Sequence, residues 1–513
     1  VTRTAPPLPR AGALTFARRP VRAHRSLRTI LGRDGLGLPW LGVLALVFVL
    51  PANGVASAFL PGATATAFGA IKDGVILGLF LLALVSGRIR RVPVPIVVLV
   101  LMIVGLGLVS AVWTANPIQA AYGWRNDFLP FLALIVVPAV LEKRHLAILA
   151  TAFVVAVQLS SITTILTWSQ GLDWLFTLRV FPLAPETPFP SSLFVAGSIV
   201  PRGFSPYSAP NESAVAVTIA LTVLWTRPRW PLWLKGGLTV LPLVAVYLTQ
   251  SRSGYIGLAM LAVTLVAWAL FRAKPMLVWA MLTVSTAAAI GGGILYLYVD
   301  KVISHVADPS LIGHSDSLLE NIPLLVAHPF GFGLGKVGPR AQLYSTDSVL
   351  VESFFLVLAI ESGILVMLLF AALLVYLFLR GLRAPTLDGF LPTAVVAGTL
   401  VSYTVLPTLQ EGPVAFTLWI VCGMGIVAGR AEQASRVMRP VGTRQHEAPP
   451  SRTAAHLDGP HTATGAHLAT ARGEGRRRRP PRLRVSGRRR RRDERAPRSL
   501  RDHGPEDIAP DVP

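Results

Sequence analysis

Four residues stand where a chain could hold a phosphate and move a proton. Arg202 lies in Pro201-Arg202-Gly203-Phe204-Ser205-Pro206-Tyr207-Ser208-Ala209-Pro210-Asn211-Glu212, with Asn211 placed to cap the helix that follows. Arg252 lies in Thr249-Gln250-Ser251-Arg252-Ser253-Gly254-Tyr255, a connection with almost no loop. A guanidinium is a permanent cation whose planar fork matches phosphate oxygens. Near a membrane it is costly unless it snorkels to the interface, pairs, or binds an anion. The plain reading of both arginines is an interfacial anchor; the sharper one is a clamp for a diphosphate. Glu352 heads an apolar run, where a helix dipole would favour its anion and where it could accept a proton from an attacking hydroxyl. His314, in the polar stretch from Asp308 to Ser317, is a second candidate base. Glu361, about 13 Å deeper along the same helix, needs a buried partner or a polar cavity.

The run His328-Pro329-Phe330-Gly331-Phe332-Gly333-Leu334-Gly335 superficially resembles a nucleotide loop, but no strand of a dinucleotide fold precedes it. Its glycines, Gly333 among them, would let the backbone pack tightly or approach a sugar or phosphate. His305, His314 and His328 lack the spacing of a zinc site, so no metal is expected. No cofactor is expected either. The lone cysteine, Cys422, excludes an intrachain disulfide and a thiolate cluster.

These residues must be positioned by membrane helices. The chain is 52% hydrophobic and 14% charged, with a mean hydropathy of +0.57, whereas soluble domains average about 25% charged. Apolar runs of spanning length, roughly 20 residues each, recur at 38–60, 67–86, 95–113, 128–141, 146–168, 213–225, 232–249, 254–271, 276–299, 353–379, 391–406 and 414–429. The expected fold is therefore an all-α, polytopic bundle of about twelve helices. The fourth and sixth runs are short enough to be tilted, merged or re-entrant.

Alternate connections carry Arg88, Arg90 and Arg91, then Lys143 and Arg144, then Arg227, Arg229 and Lys235, then Arg272 and Lys274, then Arg380 and Arg383. By the positive-inside rule this set faces the cytoplasm with both termini. Length accumulates on the other face, in outer loops at about 169–212 and 300–352, and long loops are commonly functional. Three regions follow: a basic arm at 1–37, the membrane domain at 38–429, and an Arg-rich tail at 430–513 whose composition reads as disordered. The arm leads into an apolar run that reads as a retained helix rather than a cleaved signal. The net charge of +22, concentrated in arm, tail and short loops, fits topology and contact with anionic membrane lipids, not nucleic acid.

Taken in order, these segments resemble the O-antigen ligase/polymerase family of membrane glycosyltransferases. Three pieces carry the likeness: Arg202 to Pro210-Asn211; Thr249-Gln250-Ser251-Arg252-Ser253-Gly254; and His328 to Gly333 joined to Glu352-Ser353 and Glu361-Ser362-Gly363. The resemblance implies glycan transfer from a polyprenyl-diphosphate-linked donor to a glycan or lipid-linked sugar acceptor, at the outer face of the cytoplasmic membrane and without a metal. It assigns Arg202 and Arg252 to the diphosphate, Glu352 or His314 to catalysis, and Asn211, Ser251, His328 and Gly333 to support. Family ligases often have His-Asn where this chain has Glu352-Ser353, which moves it towards the polymerase side. Polysaccharide-assembly proteins would be natural partners.

Two other readings follow from the same sequence. A transporter or flippase for lipid-linked sugars would need polar groups lining a path through the bilayer, and few are present. A non-enzymatic polysaccharide-assembly protein would use the basic tail as its contact. The other large class of polyprenyl-sugar transferases carries acidic residues in the first outer connection, where 61–66 has none.

Overall fold

A computed structural model describes residues 37–59, 62–171, 201–271 apart from 208 and 228, isolated positions between 274 and 283, 320–339, 341 and 348–437. His305, His314, most of the expected ninth span at 276–299, and nearly all of the arm and tail lie outside the described residues.

Continuous apolar sequence gives helices almost throughout. In chain order they are α1 (Gly37–Phe59), α2 (Gly62–Val85), α3 (Val94–Ser110), α4 (Pro117–Asp127), α5 (Ala133–Val140) and α6 (Leu146–Ser169). Next come α7 (Pro210–Trp225), α8 (Leu232–Thr249), α9 (Arg252–Phe271) and the short α10 (Ile322–Ala327). Then follow α11 (Phe354–Ser362), α12 (Ile364–Leu382), α13 (Leu387–Val405) and α14 (Gly412–Val437). Among the described residues there is no strand, only an isolated bridge between Val337 and Val349.

Seven of these helices are long and apolar enough to cross a membrane, or eight if a bent pair forms one span. The protein is a multi-pass membrane protein. Among the described residues, three of the twelve expected runs depart from a single straight span, and most of the ninth lies outside them. The fourth run is the second half of that pair, bent by 41° after α4. Pro130, in the turn Leu129–Leu132, has no N–H with which to continue the α4 ladder. The sixth run is α7, only 16 residues long and largely buried within the bundle. The expected span 353–379 is two helices, because Gly363 adopts φ 96° and ψ 158°, a conformation open to glycine alone.

Burial separates a hub from a rim. The most apolar window of α14 is 89% buried, against 28% for α2 and 33% for α3, α8 and α12. The rim helices turn side chains such as Val85, Val94, Leu108 and Val240 outward, as lipid-facing helices do. At the hub, Phe370 meets Phe131 edge-on at 5.8 Å and Trp419 at 6.3 Å, a favoured aromatic geometry. Where α9 crosses α13, a Cβ on Gly257 would lie 2.5 Å from the Gly398 carbonyl oxygen, so the two backbones pack at a distance only small residues allow.

The connections sort into two groups by their contacts. Arg430 donates to the carbonyls of Arg91 and Pro138 at 2.9 and 3.0 Å. Arg227 donates to the Leu146 carbonyl and pairs with Asp388. These residues lie in or beside the helix ends that flank the Arg/Lys-bearing connections. The other group links 113–119, 333–337 and 407–411 through hydrogen bonds described below, and links 201–205 to the ends of α6 and α8.

Candidate active site

The first cluster forms where the ends of α6 and α8 meet the start of α7. A helix leaves its last carbonyls without intrahelical partners, and the segment before α7 supplies donors to those of α8. The Gly203 N–H donates to the Leu248 carbonyl at 2.8 Å, and Arg202 Nε donates to the Thr249 carbonyl at 2.7 Å. The Phe204 N–H donates to Thr167 Oγ1 on α6, whose hydroxyl returns a bond to the Phe204 carbonyl. Gly203 sits so close to α6 that a Cβ would fall 2.9 Å from the Thr164 carbonyl.

Arg202 is thereby fixed along its length, and Nη2 donates to Asn211 Oδ1 at 2.8 Å. This corrects the expected role of Asn211. The α7 N-cap is Ala209, which makes no side-chain cap bond, and the Asn211 amide orients Arg202 instead. Ser251 takes the capping role one connection later, where its Oγ accepts the Gly254 N–H in the first turn of α9. The turn into α9 is made by Gln250 at φ 52° and ψ 32°, which leaves Arg252 exposed as the first residue of the helix.

Arg202 is half-buried, and that burial pushes its pKa down. Glu212 and Tyr255 beside it hold the charge up, while Arg252 adds repulsion. A guanidinium stays protonated under such shifts. The two arginines, Asn211 and Ser251 therefore lie in one corner. Glu212 was missed, although it stands next to Asn211 in the same motif.

The second cluster is built on the glycine run. The Phe332 and Gly333 N–H groups donate to the Ile360 and Glu361 carbonyls at the end of α11, at 2.6 and 3.1 Å. Across the loop, Thr114 Oγ1 donates to the Leu334 carbonyl, Gln119 Nε2 to Gly335, and Gln410 Nε2 to Val337. Gly333 and Gly335 have φ of 113° and 69°, and a Cβ on Gly335 would lie 2.4 Å from the Gln119 carbonyl oxygen. The glycines serve tight backbone packing. His328 packs its ring 5.0 Å from that of Phe332, over which Lys336 Nζ sits at 4.5 Å.

Glu361 Oε1 accepts the Lys336 and Val337 N–H groups at 3.1 and 3.0 Å. Beside it, at the end of α4, lies the buried carboxyl of Asp127, and Glu361 Oε2 and Asp127 Oδ1 have no hydrogen-bond partner among the described residues. Sequence reasoning missed Asp127. The signal was the charged pair Arg125 and Asp127 directly before the fourth apolar run.

Glu352 is half-buried and does not open the helix as expected. The helix begins at Phe354, with Ser353 extended at φ −128°. The Glu352 segment is held instead beside the glycine loop, by Val349 N–H to the Lys336 carbonyl and Gly338 N–H to the Val349 carbonyl.

Residues 237–371 match the family model described as O-antigen ligase. No curated protein matches the chain. The matched stretch contains Arg252, the glycine loop, Glu352 and Glu361, and stops short of Arg202 and Asn211 on the N-terminal side. Over those residues the chain is similar to the O-antigen ligase family, which supports a membrane glycosyltransferase of the ligase/polymerase type.

Proposed function

We propose that the protein joins polyprenyl-diphosphate-linked glycans to a sugar acceptor on the outer face of the cytoplasmic membrane, with both termini in the cytoplasm. The supporting observation is the arginine corner. Arg202 is fixed by Thr249 and Asn211 within the electrostatic reach of Arg252.

In the reaction, an acceptor hydroxyl oxygen attacks the donor's anomeric carbon. The bond from that carbon to the diphosphate oxygen breaks, and polyprenyl diphosphate leaves as an anion. Glu352 takes the hydroxyl proton, and His314 is the alternative base. The leaving group carries its own charge, so fixed cations lower the barrier where it develops. A metal is not required for this role. Glu352 in place of a family histidine favours the polymerase branch, in which the acceptor is another glycan. Asn211 and Ser251 position the arginines, while His328 and Gly333 shape the loop.

The test is polymer yield and length in cells producing Arg202→Ala, Arg252→Ala and the double variant, with membrane levels checked by immunoblot. Each single variant should lose most polymer. An unchanged polymer in the double variant would exclude the clamp.

A further inference from the structure

Beside the glycine loop, three buried side chains present oxygens that no donor meets. We propose that Asp127, Glu361 and Gln410 hold a calcium ion, which ties together α4, α11 and the turn Thr408–Gln410.

The three side chains are 2%, 1% and 4% exposed, and they line one cavity of about 10 Å³ together with Gly335 and Val337 of the loop. Asp127 Oδ1, Glu361 Oε2 and Gln410 Oε1 have no hydrogen-bond partner among the described residues. The Gln410 amide cannot be turned end for end. Its Nε2 donates to the Val337 carbonyl at 3.1 Å, which can only accept, so the oxygen is the end left over. Gly338, at φ 88°, makes room for that oxygen, since a Cβ there would collide with it. Glu361 is held by its other oxygen, which accepts the Lys336 and Val337 N–H groups.

This arrangement calls for a cation. Buried charges in proteins are paired or coordinate metals, and the basic side chains of the adjoining segments are engaged elsewhere. Lys336 Nζ donates to the Trp113 and Phe332 carbonyls at 3.4 and 3.2 Å, and Arg125 Nε donates to Asp73 at 2.6 Å. Asp127 is also the last residue of α4, where the helix dipole repels an anion and favours a cation. One proton shared between the carboxyls would serve two of the three oxygens and leave a negative charge on the pair. A metal ion meets all three.

The ligands select the ion. Among the described residues no group of three or more His, Cys, Asp or Glu gathers to hold a metal, and oxygen ligands alone suit a hard cation. The cavity has room for about one water-sized sphere. Magnesium keeps several of its waters, whereas calcium accepts carboxylates and amide oxygens in a flexible geometry. Two carboxylates balance its charge. The glycine loop hangs on the same elements, through Gln119, Glu361 and Gln410, so the ion fixes the loop. The proposal is independent of what is transferred at Arg202.

The test is isothermal titration calorimetry of the full chain, purified in detergent and stripped with EGTA, against calcium chloride and magnesium chloride. Wild-type protein should bind calcium with a Kd of about 10⁻⁴–10⁻³ M, the range of sites with few acidic ligands, and magnesium more weakly. Asp127→Asn and Glu361→Gln each remove one charge, and the second keeps the accepting Oε1. Each should weaken calcium binding by about tenfold or more, the least cost of disturbing a metal site. No calcium binding by wild type at about 10 mM, well above the expected constant, would overturn the proposal whether or not the variants fold, and would leave a proton on the pair. Undiminished binding in either folded variant would overturn it too, by placing the calcium elsewhere.

Discussion

At the scale of single residues, the account rests on groups held in place by backbone. Asn211 reaches the reaction only through Arg202, so Asn211→Ala should raise the donor KM or lower kcat by about tenfold, the worth of a hydrogen bond to a charged group. Asn211→Asp, which keeps the accepting oxygen, should restore most of the loss, and a purely structural role would show no such rescue. Glu352→Gln should lower kcat by about 10²–10⁴-fold, as expected for a lost general base, while donor binding persists. Glu361 makes a different prediction. Its Oε1 accepts two buried N–H groups, so Glu361→Ala should destabilise the protein by about 2–6 kcal/mol, at about 1–3 kcal/mol for each orphaned donor. Glu361→Gln keeps that acceptor and can donate to Asp127, so thermal unfolding should separate the two variants clearly. The arginines were legible in the sequence because an outward cation beside an apolar run contradicts its surroundings. Asp127 was not, because Glu361 lies on another helix and only folding brings them together.

At the scale of elements, long apolar runs announced the helices, and their interruptions stayed hidden. The apolar residues on both sides of Glu361-Ser362-Gly363 are long enough to read as one span, so composition alone merges α11 with α12. The glycine loop was legible as a backbone feature, since Gly331, Gly333 and Gly335 alternate with bulky residues. Its target was not, because α4 and α11 lie far from each other in sequence. Gly335 sits at φ 69° against the Gln119 carbonyl. Gly335→Ala should therefore cost about 1–3 kcal/mol from the backbone conformation alone, plus the displacement of α4. Denaturation of the purified protein would measure it, and wild-type stability in that variant would contradict the packing described here.

At the scale of the whole molecule, the charge pattern and the contact pattern agree on two ends of a bundle, and the proposed function requires the basic end to face the cytoplasm. The single cysteine makes this testable, since Cys422 is buried and should be silent to labelling. In intact cells a membrane-impermeant maleimide should label Phe330→Cys, at an exposed position in the outer loop, and not Arg90→Cys, exposed at the basic end. The reverse pattern would invert the topology. The central claim is that Arg202 and Arg252 stabilise a departing diphosphate, and it is tested most directly by the rate of glycan transfer in proteoliposomes containing purified protein and a polyprenyl-diphosphate-linked donor. For Arg202→Lys, which keeps the charge but loses the fork, the account predicts a fall of about 10²–10³-fold, the usual cost of a lost transition-state donor. A rate within about twofold of wild type in folded protein, far above that cost, would contradict it.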